Sequence, residues 1–460
     1  MSHENQDYFD DLKNIIQKFN INFIFTIPNI FKIKERVDKI KKKKLYIPFF
    51  RKDILIQDYN KCKSSEIFFI SHYLGNIDYD DNDFYYYNIF KKLDKEGKRF
   101  SIILLNKTNS NPEDIIKKYK NSNISRIIIS NYYSIFRNPF KLFFLLSKYF
   151  EFVLKSFFVK LSKSEKKLLK NFSLKNFIKS RNTLLMTENI KKVIANSSIK
   201  GFFTTYEGHS FEKNLIQYFN KKKIKTFGYY FSIIRDHDIN LFYDFGFNTQ
   251  PNYILFTGQN TKKIFLEKVN FNLGKLKLDV IGYTRPIKYQ KKENFNKILL
   301  FCPEGLYNET ELMLRFAKET LNHYENIKII FRLHPEINKN LINFNFNDLV
   351  SDRFILSSNK LEDDLNLSSI LIYRGSSVCI NALYNDLLPI YLKLDENINL
   401  DPLFKVNKNI INKPGQLGAY IENLKNIDEL KHKISNLKVY ADEYFEEFNY
   451  DKFKNIVFDE

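Results

Sequence analysis

IFFISHY, residues 67–73, packs β-branched and aromatic side chains into a run seven residues long, bounded on both sides by polar chain. That length and composition suit a strand better than a helix. Two further runs follow it, RFSIILLN (99–106) and ISRIIISNYY (124–133), each separated from the last by a polar segment long enough for a helix. Strand and helix alternating in this way predict a parallel sheet with crossover helices. The rhythm resumes with IKGFFTTYEG (199–208), KTFGYYFS (225–232) and NYILFTG (252–258), and LDVIGYTRP (278–286) closes the first series. After the Lys- and Asn-rich connection KYQKKENFNK (288–297) a second series begins. Its strands are expected at KILLFCPEG (297–305), IKIIFRLHPE (327–336), RFILSS (353–358), SSILIYRGSS (368–377) and LLPIYLKL (387–394). The chain ends in an amphipathic helical tail, residues 427–448.

At 460 residues the chain is two to three times the usual domain size. Two consecutive β/α series therefore predict an α/β fold of two Rossmann-like domains facing across a cleft, residues 1–282 and 283–460. A helical N-terminal region and a helical insertion are added to this plan. The insertion is residues 138–195, read as one long helical stretch. Within it Lys141, Lys148 and Lys155 recur every seven residues, near one helix face, while Phe and Leu fill most of the rest. Two readings stand for residues 138–161: a helix lying on a membrane surface, or one half-buried in the core with its lysines in water.

Composition narrows the function classes. A chain 44% hydrophobic and 27% charged is globular rather than disordered. Three widely spaced cysteines, Cys62, Cys302 and Cys379, make neither a disulfide framework nor a metal-ligand pattern, which fits a reducing cytosol. The first residues lack a signal-peptide pattern, and no stretch reaches the roughly 18 apolar residues of a spanning helix. The expected location is cytoplasmic, peripheral to the inner face of the cytoplasmic membrane. The net charge of +20 comes from 61 Lys and only 12 Arg. Sequence-reading nucleic-acid proteins lean on Arg, so no nucleic-acid partner is expected. Codon bias of an AT-rich genome explains the Lys excess as well as attraction to anionic lipid or acidic glycan does. A basic run at 39–44 followed by LYIPFF is the densest charge in the chain.

Ligands of doubly wound sheets bind outside the carboxyl ends of the strands. Three segments stand at such ends. TTYEGHSFE (204–212) places Glu207 at a strand tip, with Gly208 permitting a tight turn and Ser210 available as a helix cap. A carboxylate there is able to deprotonate a hydroxyl; the plainer reading makes Glu207 a first-turn residue and Glu212 a solvated helix residue. FRLHPE (331–336) sets His334 before Pro335, extended and able to donate to a phosphate oxygen. YRGSSVCINAL (373–383) offers the Gly375-Ser376-Ser377 turn and free N–H groups at a helix start.

Taken in order, an acidic-Gly element, a His-Pro element and a Ser-Ser element about 40 residues later resemble the GT-B glycosyltransferases that use CMP-activated sugars. These are the bacterial sialyl- and polysialyltransferases and, on a related plan, the capsule Kdo transferases. The resemblance covers roughly residues 200–395. It implies Glu207 as general base, His334 assisting departure of CMP, and Ser376 and Ser377 holding the donor phosphate, with Pro335 and Gly375 shaping that site. The first motif departs from the pattern, because Tyr206 stands where a second acid is usual. His209 beside it is an alternative base or an acceptor ligand, and Glu304 and Gly305 of CPEG are candidate nucleotide contacts. The implied reaction is an inverting transfer of a sialic acid-like or Kdo-like sugar to a surface glycan or glycolipid. The nucleotide sugar is a co-substrate; no metal or other cofactor is required, and the acidic cluster at 78–83 lies far from the motifs. Related alternatives are a CDP-glycerol or CDP-ribitol phosphotransferase and a UDP-sugar GT-B enzyme. From another class come a non-catalytic nucleic-acid-binding protein and an assembly partner.

Overall fold

A computed structural model describes residues 53–75, 82–108, 110–130, 139–163, 165–166, 174–234, 239–242, 248–287, 292–335, 337–349, 351–393, 401–422, 424 and 426–459. The basic run at 39–44 and most of the acidic cluster at 78–83 lie outside them.

Two sheets carry the fold, and the chain is α/β with two Rossmann-like domains, as the alternating runs predict. The first sheet holds β1 (Ile54–Ile56), β2 (Ile67–Tyr73), β3 (Phe100–Asn106), β4 (Ser125–Ser130), β5 (Gly201–Thr205), β6 (Lys225–Tyr230), β7 (Tyr253–Phe256) and β8 (Lys277–Val280). Its order is β1-β4-β3-β2-β5-β6-β7-β8, parallel throughout except that β1 runs antiparallel to β4. The second holds β9 (Ile298–Cys302), β10 (Lys328–Phe331), β11 (Phe354–Leu356), β12 (Ile370–Tyr373), β13 (Leu388–Leu392) and β14 (Asn409–Ile411). It is all parallel, in the order β11-β10-β9-β12-β13-β14.

The central strands are apolar almost from end to end because helices cover both faces; every residue of β2 and β3 is buried. In each sheet the chain lays down three strands to one side and then crosses over the first to continue on the other. The reversal falls between β2 and β5 in the first sheet and between β9 and β12 in the second. At such a switch point the connections leave in opposite directions, and a crevice opens at the strand carboxyl ends.

The stretch 138–195 is not one continuous helix among the described residues: the chain leaves the helical state after Phe158 and re-enters it at residue 163. The helices Pro139–Phe158 and Leu174–Ile194 pack together, and the break after Phe158 has a local cause. Ser162 Oγ accepts from the Glu165 amide at 3.0 Å while Glu165 Oε2 accepts from the Ser162 amide at 2.7 Å. This reciprocal cap starts a new helix at residue 163. No helix among the described residues is long and apolar enough to cross a membrane.

The tail returns to the first domain. The helix Ile427–Tyr444 is buried along Leu430, Ile434, Leu437 and Ala441. Its last turn is tied to the second domain by Tyr384 Oη, which donates to the Ala441 carbonyl (2.7 Å), and to the first by Asn260 Nδ2, which donates to the Tyr440 carbonyl (2.9 Å). Beyond it Phe445 stacks on Tyr283 at 4.2 Å, and the amides of Glu446 and Asn449 donate to the carbonyls of Thr257 and Ile281. Phe453, in the short helix Tyr450–Lys454, then buries itself edge-on to Phe203 in the core under the first sheet. The crossing is close enough that only glycine fits beneath it. Gly258 faces the carbonyls of Glu443 and Tyr444, and Gly282, at φ +85°, faces the carbonyl of Glu447.

Gly282→Ala therefore meets both a left-handed backbone and a backbone clash. We expect a loss of about 2–4 kcal/mol, read as a lowered urea midpoint, with the 445–459 segment becoming protease-sensitive first. An unchanged midpoint would contradict the crossing as described.

Candidate functional site

The three candidate segments occupy the carboxyl ends of strands at the two switch points. In the second sheet, Phe301 on β9 sits beside Phe331 on β10 and Ile372 on β12. The loops leaving these strands therefore start level with one another. The β9 loop carries Glu304 and Gly305, the β10 loop carries His334 and Pro335, and the β12 turn carries Gly375, Ser376 and Ser377. The first two touch: a Cβ on Gly305 would stand 2.9 Å from His334 Nδ1, so the imidazole lies directly on the glycine. Any side chain at 305 would displace the ring. The His334 carbonyl accepts from the Ile337 amide at 2.9 Å, turning the chain after Pro335.

Ser376 is half-buried, and its Oγ accepts from the Val378 amide at 3.3 Å; Ser377 is exposed and opens the helix Val378–Tyr384. One serine thus has a local bonding role and the other faces solvent.

Beneath these loops lie two residues that sequence reading passed over. Arg374, the first residue after β12, places Nε 2.6 Å from Glu309 Oε1, and both side chains are 6% exposed. Glu309 stands in the first turn of the helix Tyr307–His323 that the β9 loop enters. The ion pair joins the Gly305 loop to the Gly375-Ser376-Ser377 turn. An arginine next to a Gly-Ser-Ser turn is visible in sequence, but its partner 65 residues earlier is not. On the outer side, Arg332 Nη1 bonds Asp364 Oδ2 at 2.8 Å, and Ser357 Oγ bonds the same oxygen at 2.6 Å, pinning the start of the His334 loop.

In the first sheet, Glu207 and His209 follow β5 at the other switch point. Glu207 Oε2 and His209 Nε2 are 3.0 Å apart. The loop is held by Glu212, whose Oε2 accepts from the amides of Glu207 (3.0 Å) and His209 (2.8 Å). This corrects two expectations. Glu212 is fully buried rather than solvated, and the helix Ser210–Lys221 begins after His209, with Glu212 supplying the cap that Ser210 was expected to supply. The reason is geometric: a carboxylate three residues into a helix reaches back to the orphan amides ahead of it. Burial raises the Glu212 carboxyl to about 7. Burial opposes charge on His209, but the Glu212 and Glu207 carboxylates outweigh it and lift the imidazole to about 9. With 54% of that side chain open to solvent, the carboxylates and not burial govern its charge. His209 is thus an imidazolium at neutral pH.

Behind this pair stands His72, the penultimate residue of β2, buried and depressed well below its usual range by burial and by the nearby Lys107 and His209. In sequence it is a lone imidazole inside an otherwise largely apolar run. Of the acidic cluster only Asn82 and Asp83 are described; Asp83 Oδ1 turns inward and accepts from the amides of Tyr85 and Tyr86, a structural use. Among the described residues no group of three or more His, Cys, Asp or Glu is placed to hold a metal.

No protein-family model and no curated protein sequence matches this chain. Solved structures do match its fold. The S. aureus MnaA–UDP co-structure superposes with a TM-score of 0.52 at 10% identity, over 85% of this chain and 95% of that one. A putative UDP-N-acetylglucosamine 2-epimerase from Listeria monocytogenes gives 0.50 at 11% identity, over 85% and 96%. At that identity the likeness establishes the architecture, the GT-B arrangement of two Rossmann-like domains, and no more.

Removing one member of the buried Arg374–Glu309 pair strands the other charge. Glu309→Ala should cost about 3–5 kcal/mol in chemical denaturation, and Glu309→Gln distinctly less. Equal and small losses from both would mean that the pair does not hold the two loops together.

Proposed function

We propose that this protein is an inverting glycosyltransferase that moves an acidic sugar of the sialic acid or Kdo type from a CMP donor to a surface glycan or glycolipid. The observation that carries the reading is the convergence of the Gly305 loop, His334 and the Ser376-Ser377 turn at the switch point of the second sheet, with a Glu–His pair at the switch point of the first. A nucleotide phosphate seated on the second sheet would meet the His334 imidazole, the serine hydroxyls and the backbone amides of the β12 turn. Those donors stabilise charge as it builds on the departing phosphate. Across the cleft Glu207 takes the proton of the acceptor hydroxyl. In an oxocarbenium-like transition state that proton leaves late, after the oxygen has become acidic, so a carboxylate suffices as base. The His209 imidazolium holds Glu207 in place. The residues assigned to donor and base both follow from the resemblance of their motifs to the CMP-sugar enzymes, and nothing in this scheme calls on a metal.

A second reading is favoured by one observation. Both solved structures cited above are UDP-linked by their own descriptions, one bound to UDP and the other a UDP-N-acetylglucosamine 2-epimerase. A UDP-sugar as the donor would keep the same loops and change only the base contacts.

Nucleotide choice separates the two. Thermal stability measured against CMP, CDP, UDP, GDP and ADP should rise selectively with CMP, by about 2.7 kcal/mol at 100 times the dissociation constant. His334→Ala and Ser376→Ala should lose the response, and Glu207→Ala should keep it while lowering turnover about 10²–10⁴-fold. Selective stabilisation by UDP installs the second reading. A Glu207→Ala protein with normal turnover removes the assigned base.

The acceptor is proposed to be met at an anionic membrane surface. On the helix Pro139–Phe158, Phe140, Phe143, Phe150, Leu154, Phe157 and Phe158 are exposed, with Phe140 and Phe158 above 80%. Leu145 and Phe152 face inward, so the exposed row is a second apolar face that the described residues leave open. Lys148 and Lys155 flank it, both bonded to Glu151, and the chain bears a net +20 charge. A bilayer rich in phosphatidylglycerol matches both features. The protein should sediment with such vesicles at low salt, less at high salt, and hardly at all as Phe143→Ser/Phe150→Ser/Phe157→Ser. Dimerisation without vesicle binding would assign the face to a second copy instead.

A further inference from the structure

The first sheet also opens at the end away from Glu207. At the amino ends of β6, β7 and β8 lies a cleft of about 350 Å³, lined by nine residues, of which four are lysines, three are asparagines and none is acidic. Its shape follows from the strands. Lys225 is the first residue of β6, and Lys277, the first of β8, pairs with Tyr253, the first of β7. Two residues earlier on each side stand Lys223 and Lys275. Because β6 and β8 flank β7, they lie about 10 Å apart, and their lysines approach from both sides of a floor that Asn252 and Tyr253 provide. Asn252 Oδ1 accepts from the amide (2.8 Å) and hydroxyl (3.1 Å) of Thr226, which leaves its Nδ2 to donate. Lys277 Nζ donates to the Tyr253 hydroxyl at 2.8 Å, fixing one ammonium beside the floor. Other surface lysines of this chain are interleaved with acids, as Lys98 is with Asp459, Lys405 with Glu267 and Lys454 with Glu96. Lys223 and Lys275 are exposed and form no ion pair among the described residues. The neighbouring helix end does not occupy them either: the last carbonyls of the helix Ser210–Lys221 accept from the amides of Lys222, Lys223 and Ile224. Lys223 keeps its place at φ +57°, where glycine is the usual residue after a helix.

We infer that this cleft binds a phosphate-bearing ligand, with Lys223 and Lys275 clasping the phosphate from the β6 and β8 sides and Asn252 donating from the floor. Positive charge gathered without an acid repels itself, and an entering anion relieves that repulsion. The donor set selects phosphate over carboxylate. Ammonium groups are point charges, and placed on opposite sides they match a tetrahedral group whose oxygens point several ways. No arginine lines the cleft to offer the planar fork that a carboxylate fits. The volume suits a ligand the size of a glycerol phosphate or sugar phosphate. This site does not rest on the glycosyl-transfer reading, since the amino ends of the strands lie about 16 Å, one strand length, from the edge that carries Glu207. Such a phosphate has two sources, a soluble organic phosphate or the headgroup of an anionic lipid, and the recognising chemistry is the same for both.

The test follows thermal stability of the full chain against glycerol 3-phosphate and acetate, in phosphate-free buffer at constant ionic strength, and sedimentation with phosphatidylglycerol vesicles. Glycerol 3-phosphate should bind at least tenfold more tightly than acetate, and Lys223→Gln/Lys275→Gln should weaken it at least tenfold. The pair Lys95→Gln/Lys120→Gln removes the same charge from exposed positions elsewhere and should leave the binding unchanged. His334→Ala should leave it unchanged as well, which separates this cleft from the nucleotide site. The vesicles identify the source. A soluble phosphate leaves sedimentation of Lys223→Gln/Lys275→Gln as it is in the unaltered protein; a lipid headgroup makes it fall at least threefold, with glycerol 3-phosphate competing. No preference over acetate, an equal loss in the control pair or in His334→Ala, or an undiminished response in Lys223→Gln/Lys275→Gln overturns the cleft. If the variants do not fold, the ranking of glycerol 3-phosphate and acetate on the unaltered protein and on His334→Ala decides alone. A protein that answers CMP but not glycerol 3-phosphate loses this cleft and keeps the transfer reading; one that answers glycerol 3-phosphate but no nucleotide does the reverse.

Discussion

The reversal of strand order at β2 and at β9 is the constraint from which the rest of the arrangement follows. A parallel strand must be joined to its neighbour by a crossover, and right-handed crossovers force the chain to cover one face on the way out and the other on the way back. Where the direction changes, neither crossover can close over the strand ends, and the loops there are the ones free to carry function. Glu207 and His72 stand at the first such place, and Gly305, His334 and Ser376 at the second. No other pair of described strand ends in either sheet has this property.

Around those openings the structure uses buried charge to hold loops that have no regular hydrogen bonding of their own. Glu212 gathers the amides of the Glu207 loop, Arg374 and Glu309 join two loops of the second domain, and Asp364 fixes Arg332 at the root of the third. Ion pairs of this kind add little net stability over apolar packing, but they are specific in direction, and losing one partner is costly. Close approach likewise governs the seam between the domains. The tail passes so close to Gly258 and Gly282 that backbone meets backbone, and Phe453 is delivered to the first core after the chain has finished the second sheet. Both domains are thereby closed by one segment.

Much of this was legible along the chain. Twelve of the described strands coincide with apolar runs; the central ones are apolar throughout because they are buried on both faces, and polar crossovers mark their ends. The two that the sequence leaves unmarked, β1 and β14, are both three-residue edge strands. The helical stretch 138–195 read as continuous because its composition never changes, yet a four-residue Ser-x-x-Glu cap breaks it.

What the sequence by itself determined is therefore twelve of the described strands and the two successive β/α series, and it placed Glu207, His334, Ser376 and Ser377 at strand ends, since each depends only on neighbours a few positions away. Tertiary structure decided which motifs stand at the same switch point, that Glu212 is a buried cap rather than a solvated acid, that Arg374 finds Glu309, and that His72 and Lys107 meet on Phe211. Those outcomes hang on strand order and on contacts between residues tens to hundreds of positions apart. Periodicity and spacing contain no term for either.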